Sequence, residues 1–110
     1  MSLLLSMRKD GIMLQEMRTM AVGDIVAHFK RELLSEEQKK EDKNQYLYVI
    51  EGFATHSETR ERMVVYRALY GEYGLYVRPY SMFMSEVDKN KYPMVQTKYR
   101  FTLYKTKKTP

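Results

Sequence analysis

A chain of 110 residues with 44% hydrophobic and 30% charged residues has room for one modest core and not for two. The absence of cysteine excludes disulfides, thiolate zinc sites and cysteine nucleophiles. The net charge of +5 is concentrated at one end: from position 98 onward the charged residues are Lys98, Arg100, Lys105, Lys107 and Lys108, while the first 97 residues carry fourteen charges of each sign. The body is therefore neutral, and the excess belongs to a C-terminal strand and a basic tail over 105–110.

Residues 1–20 form a Met- and Leu-rich leader, holding Met1, Met7, Met13, Met17 and Met20, with helical character around Ile12 to Met20. It is expected to be a docked helix or a mobile arm, and its apolar side chains favour a homodimer. Its apolar run, Leu3 to Leu5, is too short for a signal-peptide core, and no span reaches the length of a membrane helix. A cytoplasmic protein without a membrane anchor is expected.

A domain over 21–104 follows. Val22-Gly23-Asp24 reads as a turn into a first strand, Ile25 to Phe29, with Val26 and His28 sharing one face. Arg31 to Asn44 is a charged, solvent-exposed loop with a helical turn starting at Ser35-Glu36-Glu37. The run QYLYVIEGFAT, Gln45 to Thr55, alternates as a long strand in which Gly52 marks a bulge or bend. A polar turn covers His56 to Glu61, and Arg62 to Leu69 makes a third strand rich in β-branched and aromatic residues.

Gly71 and Gly74 bracket a tight turn into a short fourth strand, Leu75 to Arg78, which Pro79 ends. On that strand Leu75 and Val77 suit the core, and Tyr76 and Arg78 share the other face. Ser81 to Val87 is expected to make one helical turn. The last strand, Lys98 to Tyr104, places Tyr99, Phe101 and Leu103 inward. Five short strands with a long first loop and tight later hairpins predict an all-β domain, a small five-stranded, partly open barrel of SH3-like type. A five-stranded antiparallel sheet under the N-terminal helix is the competing arrangement.

The motif string His28-Phe29-Lys30, Tyr48-Val49, Ala54, His56 to Thr59, Glu61, Val64 to Tyr66, Ala68 to Gly71, Gly74, Val77 to Pro79, Met82-Phe83 and Glu86-Val87 resembles the bacterial DUF1653 family. The similarity covers roughly Gly23 to Phe101. It implies a small β-rich cytoplasmic protein, and it carries no assigned activity and hence no catalytic residue. Two departures stand out: the charged segment Arg31 to Asn44 replaces a short glycine-containing link, and Tyr76 stands where the family has tryptophan.

Candidate site residues fall in two groups. In the polar turn, His56 and Glu58 point to one side if the backbone is extended, and Glu58 or Glu61 is placed to pair with Arg78. With His28 as the only other histidine, a metal site is short of ligands and none is assigned. The second group is Tyr66, Tyr70, Tyr76 and Arg78, aromatic residues with polar tips that suit a wet recognition surface. No phosphate-binding glycine loop, nucleophile elbow or paired-histidine helix is present, and no cofactor is expected. The residues point first to a binding or adaptor module that recognises a peptide or partner protein through its tyrosines. A small-ligand or nucleotide-binding protein, or an enzyme, using His56, Glu58 and Arg78 is the alternative. The third reading is single-stranded nucleic acid held by the tyrosines and by Lys98, Arg100, Lys105, Lys107 and Lys108.

Overall fold

The computed structural model describes residues 19–105. The leader before position 19, with its expected helix and dimer contact, lies outside the described residues, as do Lys107 and Lys108 of the tail. The elements are β1 (Ile25–His28), a 3-10 segment (Phe29–Leu33), α1 (Glu36–Glu41), β2 (Leu47–Thr55), β3 (Arg62–Ala68), β4 (Leu75–Pro79), α2 (Tyr80–Phe83) and β5 (Phe101–Lys105). No helix among the described residues is long and apolar enough to cross a membrane.

Local chemistry accounts for most of these boundaries. Ser35 caps α1: its hydroxyl accepts from the Gln38 amide at 3.1 Å while the Gln38 side chain accepts from the Ser35 amide at 2.8 Å, a capping box. The register between β2 and β3 slips between Ile50 and Gly52, so the bulge sits where Gly52 forecasts it. Gly71 adopts φ +62°, which glycine takes without Cβ strain, and turns the chain from β3 towards β4.

The five strands form one antiparallel sheet in the order β4-β3-β2-β1-β5. All-β is therefore right, but among the described residues the sheet is not closed: β4 and β5 are its two edges. It is nevertheless curled. Four flat inter-strand steps would separate the edges by about 19 Å, yet the Arg78 guanidinium of β4 lies 5.9 Å from the ring centre of Phe101 on β5. Curling brings the same-face residues into a trough, while the absence of a β4–β5 ladder keeps one seam open.

Cross-strand partners share a face. The register pairs His28 with Phe101, Val26 with Tyr48, Tyr48 with Ala68, Ile50 with Tyr66, Tyr66 with Tyr76, and Val64 with Arg78. This concave face holds the main core, in which Phe83 of α2 stacks on Phe101 at 4.0 Å with planes 6° apart. A satellite cluster of Phe29, Val87 and Val95, beside the one main core, ties the 84–100 loop to the start of the 3-10 segment.

Two expectations about facing need correction. Leu75 and Val77 are not core residues: they are 53% and 59% exposed. The register turns Tyr76 and Arg78 into the trough, and with a period of two that phase sends both apolar neighbours outward. Leu103 shares the face of Phe101 but is 45% exposed, because it lies on an edge strand two residues beyond the Phe83 stack. The helical turn is also earlier than expected, at Tyr80–Phe83 directly after Pro79.

Candidate functional site: an aromatic and cationic cleft

The open end of the trough is a cavity of about 230 Å³. Tyr48, Tyr66 and Phe101 supply its aromatic floor, and Tyr46, Tyr76 and Arg78 line it with His28 and Lys30. The floor is held by ring packing: Tyr48 contacts Tyr66 at 5.3 Å, Tyr70 at 5.7 Å and Phe101 at 5.8 Å, each near edge-to-face. The Tyr48 and Tyr70 hydroxyls are 2.8 Å apart. Burial first, and then this hydrogen bond, raises the Tyr48 hydroxyl far above the ordinary phenol range; burial also raises Tyr70. Both stay protonated phenols near neutral pH. Tyr46 reaches the cavity from a left-handed backbone conformation, φ 67°, which costs on the order of 1 kcal/mol for a residue of this kind.

Arg78 is oriented by its neighbours. Its Nε donates to the Tyr66 hydroxyl at 3.2 Å, and its guanidinium lies over Phe101. An arginine has five N–H donors, so four are left without a hydrogen bond among the described residues. Lys30, Arg78 and Arg100 have no carboxylate ion pair among the described residues, whose bridges join Lys39 to Glu36, Arg67 to Glu51 and Lys98 to Glu86.

His28 stands at the centre of this charge. Its Nδ1 accepts from the Lys30 amide at 3.1 Å and caps the 3-10 segment. The neutral ring therefore carries its proton on Nε2, a hydrogen-bond donor. Burial, and then the charges of Lys30, Arg78 and Arg100, lower its pKa to about 4. Three cations around one half-buried ring, with no carboxylate ion pair to them among the described residues, suit an anion.

A second cavity, of about 360 Å³, adjoins the first and shares His28, Lys30 and Arg78 with it. Its other wall is the 84–100 loop, which contributes Asp88, Lys91 and Arg100. That loop is fastened at both ends of its span. The Glu32 carboxylate accepts from the Gln96 amide at 2.7 Å, the Thr97 amide at 3.1 Å and the Thr97 hydroxyl at 2.7 Å. These bonds, led by the one from Gln96, hold the Glu32 carboxyl below its usual range. The Lys89 ammonium donates to the Val95 and Thr97 carbonyls, and the Arg100 amide donates to the Ser85 carbonyl.

Of the residues singled out in the sequence, the cavity brings together Tyr66, Tyr76 and Arg78. Tyr70 stands behind the floor against Tyr46 and Tyr48. His56, Glu58 and Glu61 line neither cavity. They belong to the β2–β3 turn, where His56 Nδ1 accepts from the amides of Glu58 (3.1 Å) and Thr59 (3.2 Å), and the Thr59 hydroxyl accepts from the Glu61 amide. Among the described residues Arg78 bonds to Tyr66 rather than to Glu58 or Glu61. No group of three or more His, Asp or Glu among the described residues is placed to hold a metal ion.

Residues 24–103 match the family described as "Protein of unknown function (DUF1653)". The chain belongs to the DUF1653 family. No curated protein and no solved structure matches it. Within this DUF1653 protein, sequence reasoning missed His28, Lys30, Tyr46, Tyr48 and Phe101 as site residues. The signal for His28 was its place on the same strand face as Val26, but that face becomes the cleft only through the pairing of His28 with Phe101, 73 positions away in the chain.

Proposed function

We propose that this DUF1653 protein binds a small organic anion in the cleft between β4 and β5. One observation carries the reading: Lys30, Arg78 and Arg100 gather around a half-buried His28 beside a floor of tyrosines. Like charges placed together in a partly dry site are costly unless something opposes them, and a bound anion does so. The site is concave with convergent polar groups, the form of a ligand pocket rather than of a flat docking surface. The cytoplasm, which holds abundant anionic metabolites, is the compartment that suits it, and no catalytic step is assigned.

Recognition of a peptide or partner protein through the same tyrosines draws less support. Tyr66 is 4% exposed and serves as floor, and of the tyrosines proposed for that surface Tyr76, 49% exposed, is the one presented at the rim. The nucleic-acid reading is weakened because Lys98 lies 4.0 Å from the Glu86 carboxylate and Arg100 lines the cleft instead of extending the tail.

A thermal-shift panel of inorganic phosphate, sugar phosphates, nucleosides and nucleotides tests the proposal on the parent, Arg78→Met and His56→Ala. A ligand at about one hundred times its Kd adds about 2.7 kcal/mol to stability. Anionic compounds are expected to stabilise the parent and His56→Ala but not Arg78→Met. A response retained in Arg78→Met, or no response to any anion, would overturn the reading.

A further inference from the structure

The two adjoining cavities differ in chemistry, and we infer that together they take a nucleoside monophosphate, its planar base in the first and its phosphate in the second. This inference rests on the anion reading of the cleft. The shared wall of His28, Lys30 and Arg78 makes the cavities neighbours along one path. The first alone, about 230 Å³, is smaller than the usual small-molecule site of about 300–1,000 Å³; joined to the second, of about 360 Å³, it falls within that range.

The first cavity is built for a ring. Tyr76 lies at its rim, and its position depends on Gly74: an added Cβ there would meet the Tyr76 hydroxyl oxygen at 3.0 Å and its Cζ at 3.1 Å. The ring therefore rests on bare backbone and is backed by Tyr66 at 5.8 Å. A fixed aromatic face of this kind stacks on any base, since every base offers a π-face.

The second cavity is built for a charged group. Arg100 and Lys91 add two cations to the shared Lys30 and Arg78. The opposing carboxylate, Asp88, is engaged by its own turn, with Oδ1 accepting from the Asn90 amide at 3.0 Å and the Lys91 amide at 3.3 Å. The Arg100 Nε donates to the Ser85 hydroxyl at 3.2 Å, which fixes the direction of its guanidinium. Four cations against one carboxylate favour a dianion such as a phosphate monoester.

Calorimetric titration of the full chain with the four common nucleosides, inorganic phosphate and the matching 5′-monophosphates provides the test. At least one monophosphate is expected to bind about 100-fold tighter than either its nucleoside or phosphate, because joining the parts makes the second contact intramolecular. Arg100→Met should remove that advantage while leaving nucleoside binding within about twofold of the parent. Tyr76→Leu should weaken nucleoside and monophosphate together by about tenfold and leave phosphate binding unchanged. A monophosphate no tighter than the better of its parts overturns the inference while phosphate binding keeps the anion reading intact. An oligonucleotide whose affinity grows with its length overturns it in favour of strand binding. If neither phosphate nor any monophosphate binds, both readings fail.

Discussion

Acid should destabilise this protein through His28, and the size of the effect follows from the cleft. The unfolded chain takes up a proton on this side chain near the ordinary value of 6.5, whereas the folded protein resists it down to about 4. Above pH 6.5 both states are neutral at this position and no cost arises. Between 6.5 and 4 the unfolded state holds more protons, so stability falls as pH falls and levels off below the folded value. The full shift corresponds to a ceiling of about 3 kcal/mol; partial exposure of the ring to solvent reduces this to about 1–2 kcal/mol. The charges responsible come from different parts of the fold: Lys30 from the 3-10 segment, Arg78 from β4 and Arg100 from the chain just before β5, with Asp88 on the far wall of the second cavity. The matched control is His28→Asn, whose side-chain oxygen can still accept from the Lys30 amide but does not titrate. Urea midpoints of parent and variant from pH 7.5 to 4.5 measure the difference. The parent is expected to lose about 1–2 kcal/mol more than His28→Asn over that interval. Parallel curves for the two proteins would refute the argument that burial and the surrounding cations hold His28 neutral.

Two further perturbations test how the cleft is built. Phe101→Ala removes the ring that stacks on Phe83 and floors the cavity, and should cost about 3–5 kcal/mol. Equilibrium urea unfolding checks this, and a loss under about 1 kcal/mol would contradict the packing described. Glu32→Ala removes the carboxylate that accepts three hydrogen bonds from the 84–100 loop and should cost about 1–2 kcal/mol, with faster amide exchange at Gln96 and Thr97 while β2 and β3 keep their protection. Because these bonds hold the Glu32 carboxyl low, their contribution is present at neutral pH and is lost as acid protonates it.

The parts of the fold legible in the sequence are those set by local chemistry. The Ser35 cap, the Gly52 bulge, the Gly71 turn and the Pro79 stop each depend on a residue whose backbone or side-chain preference acts within a few positions. Sheet order and closure are different, because the pairing of β1 with β5 joins segments that no local pattern connects. The phase of β4 shows the limit of hydropathy: Leu75 and Val77 are its aliphatic pair, yet Tyr76 and Arg78 face the trough. A polar residue turned inward beside a cavity is what a binding site requires, and hydropathy alone assigns the opposite face.

The same distinction holds for the site. Tyr76 and Arg78 were legible as a pair because alternation on a strand puts residues two apart together, and Tyr66 joins them through its cross-strand pairing with Tyr76. The His56 to Glu61 turn draws attention through its composition, but its His56 ring and Thr59 hydroxyl accept from the turn's own amides. His28 and Lys30 gained their roles from the curl of the sheet, which brings Arg78 of one edge over Phe101 of the other.

The most direct measurement is a two-dimensional NMR titration of the isotope-labelled chain with inorganic phosphate, following backbone amides and histidine ring signals. Binding in the cleft predicts that the amides of Lys30, Arg78 and Arg100 and the His28 ring shift together along one saturating curve, while the His56 to Glu61 turn stays still. Shifts confined to that turn or to the basic residues from Lys105 onward, or no saturable shift at all, would contradict the anion site.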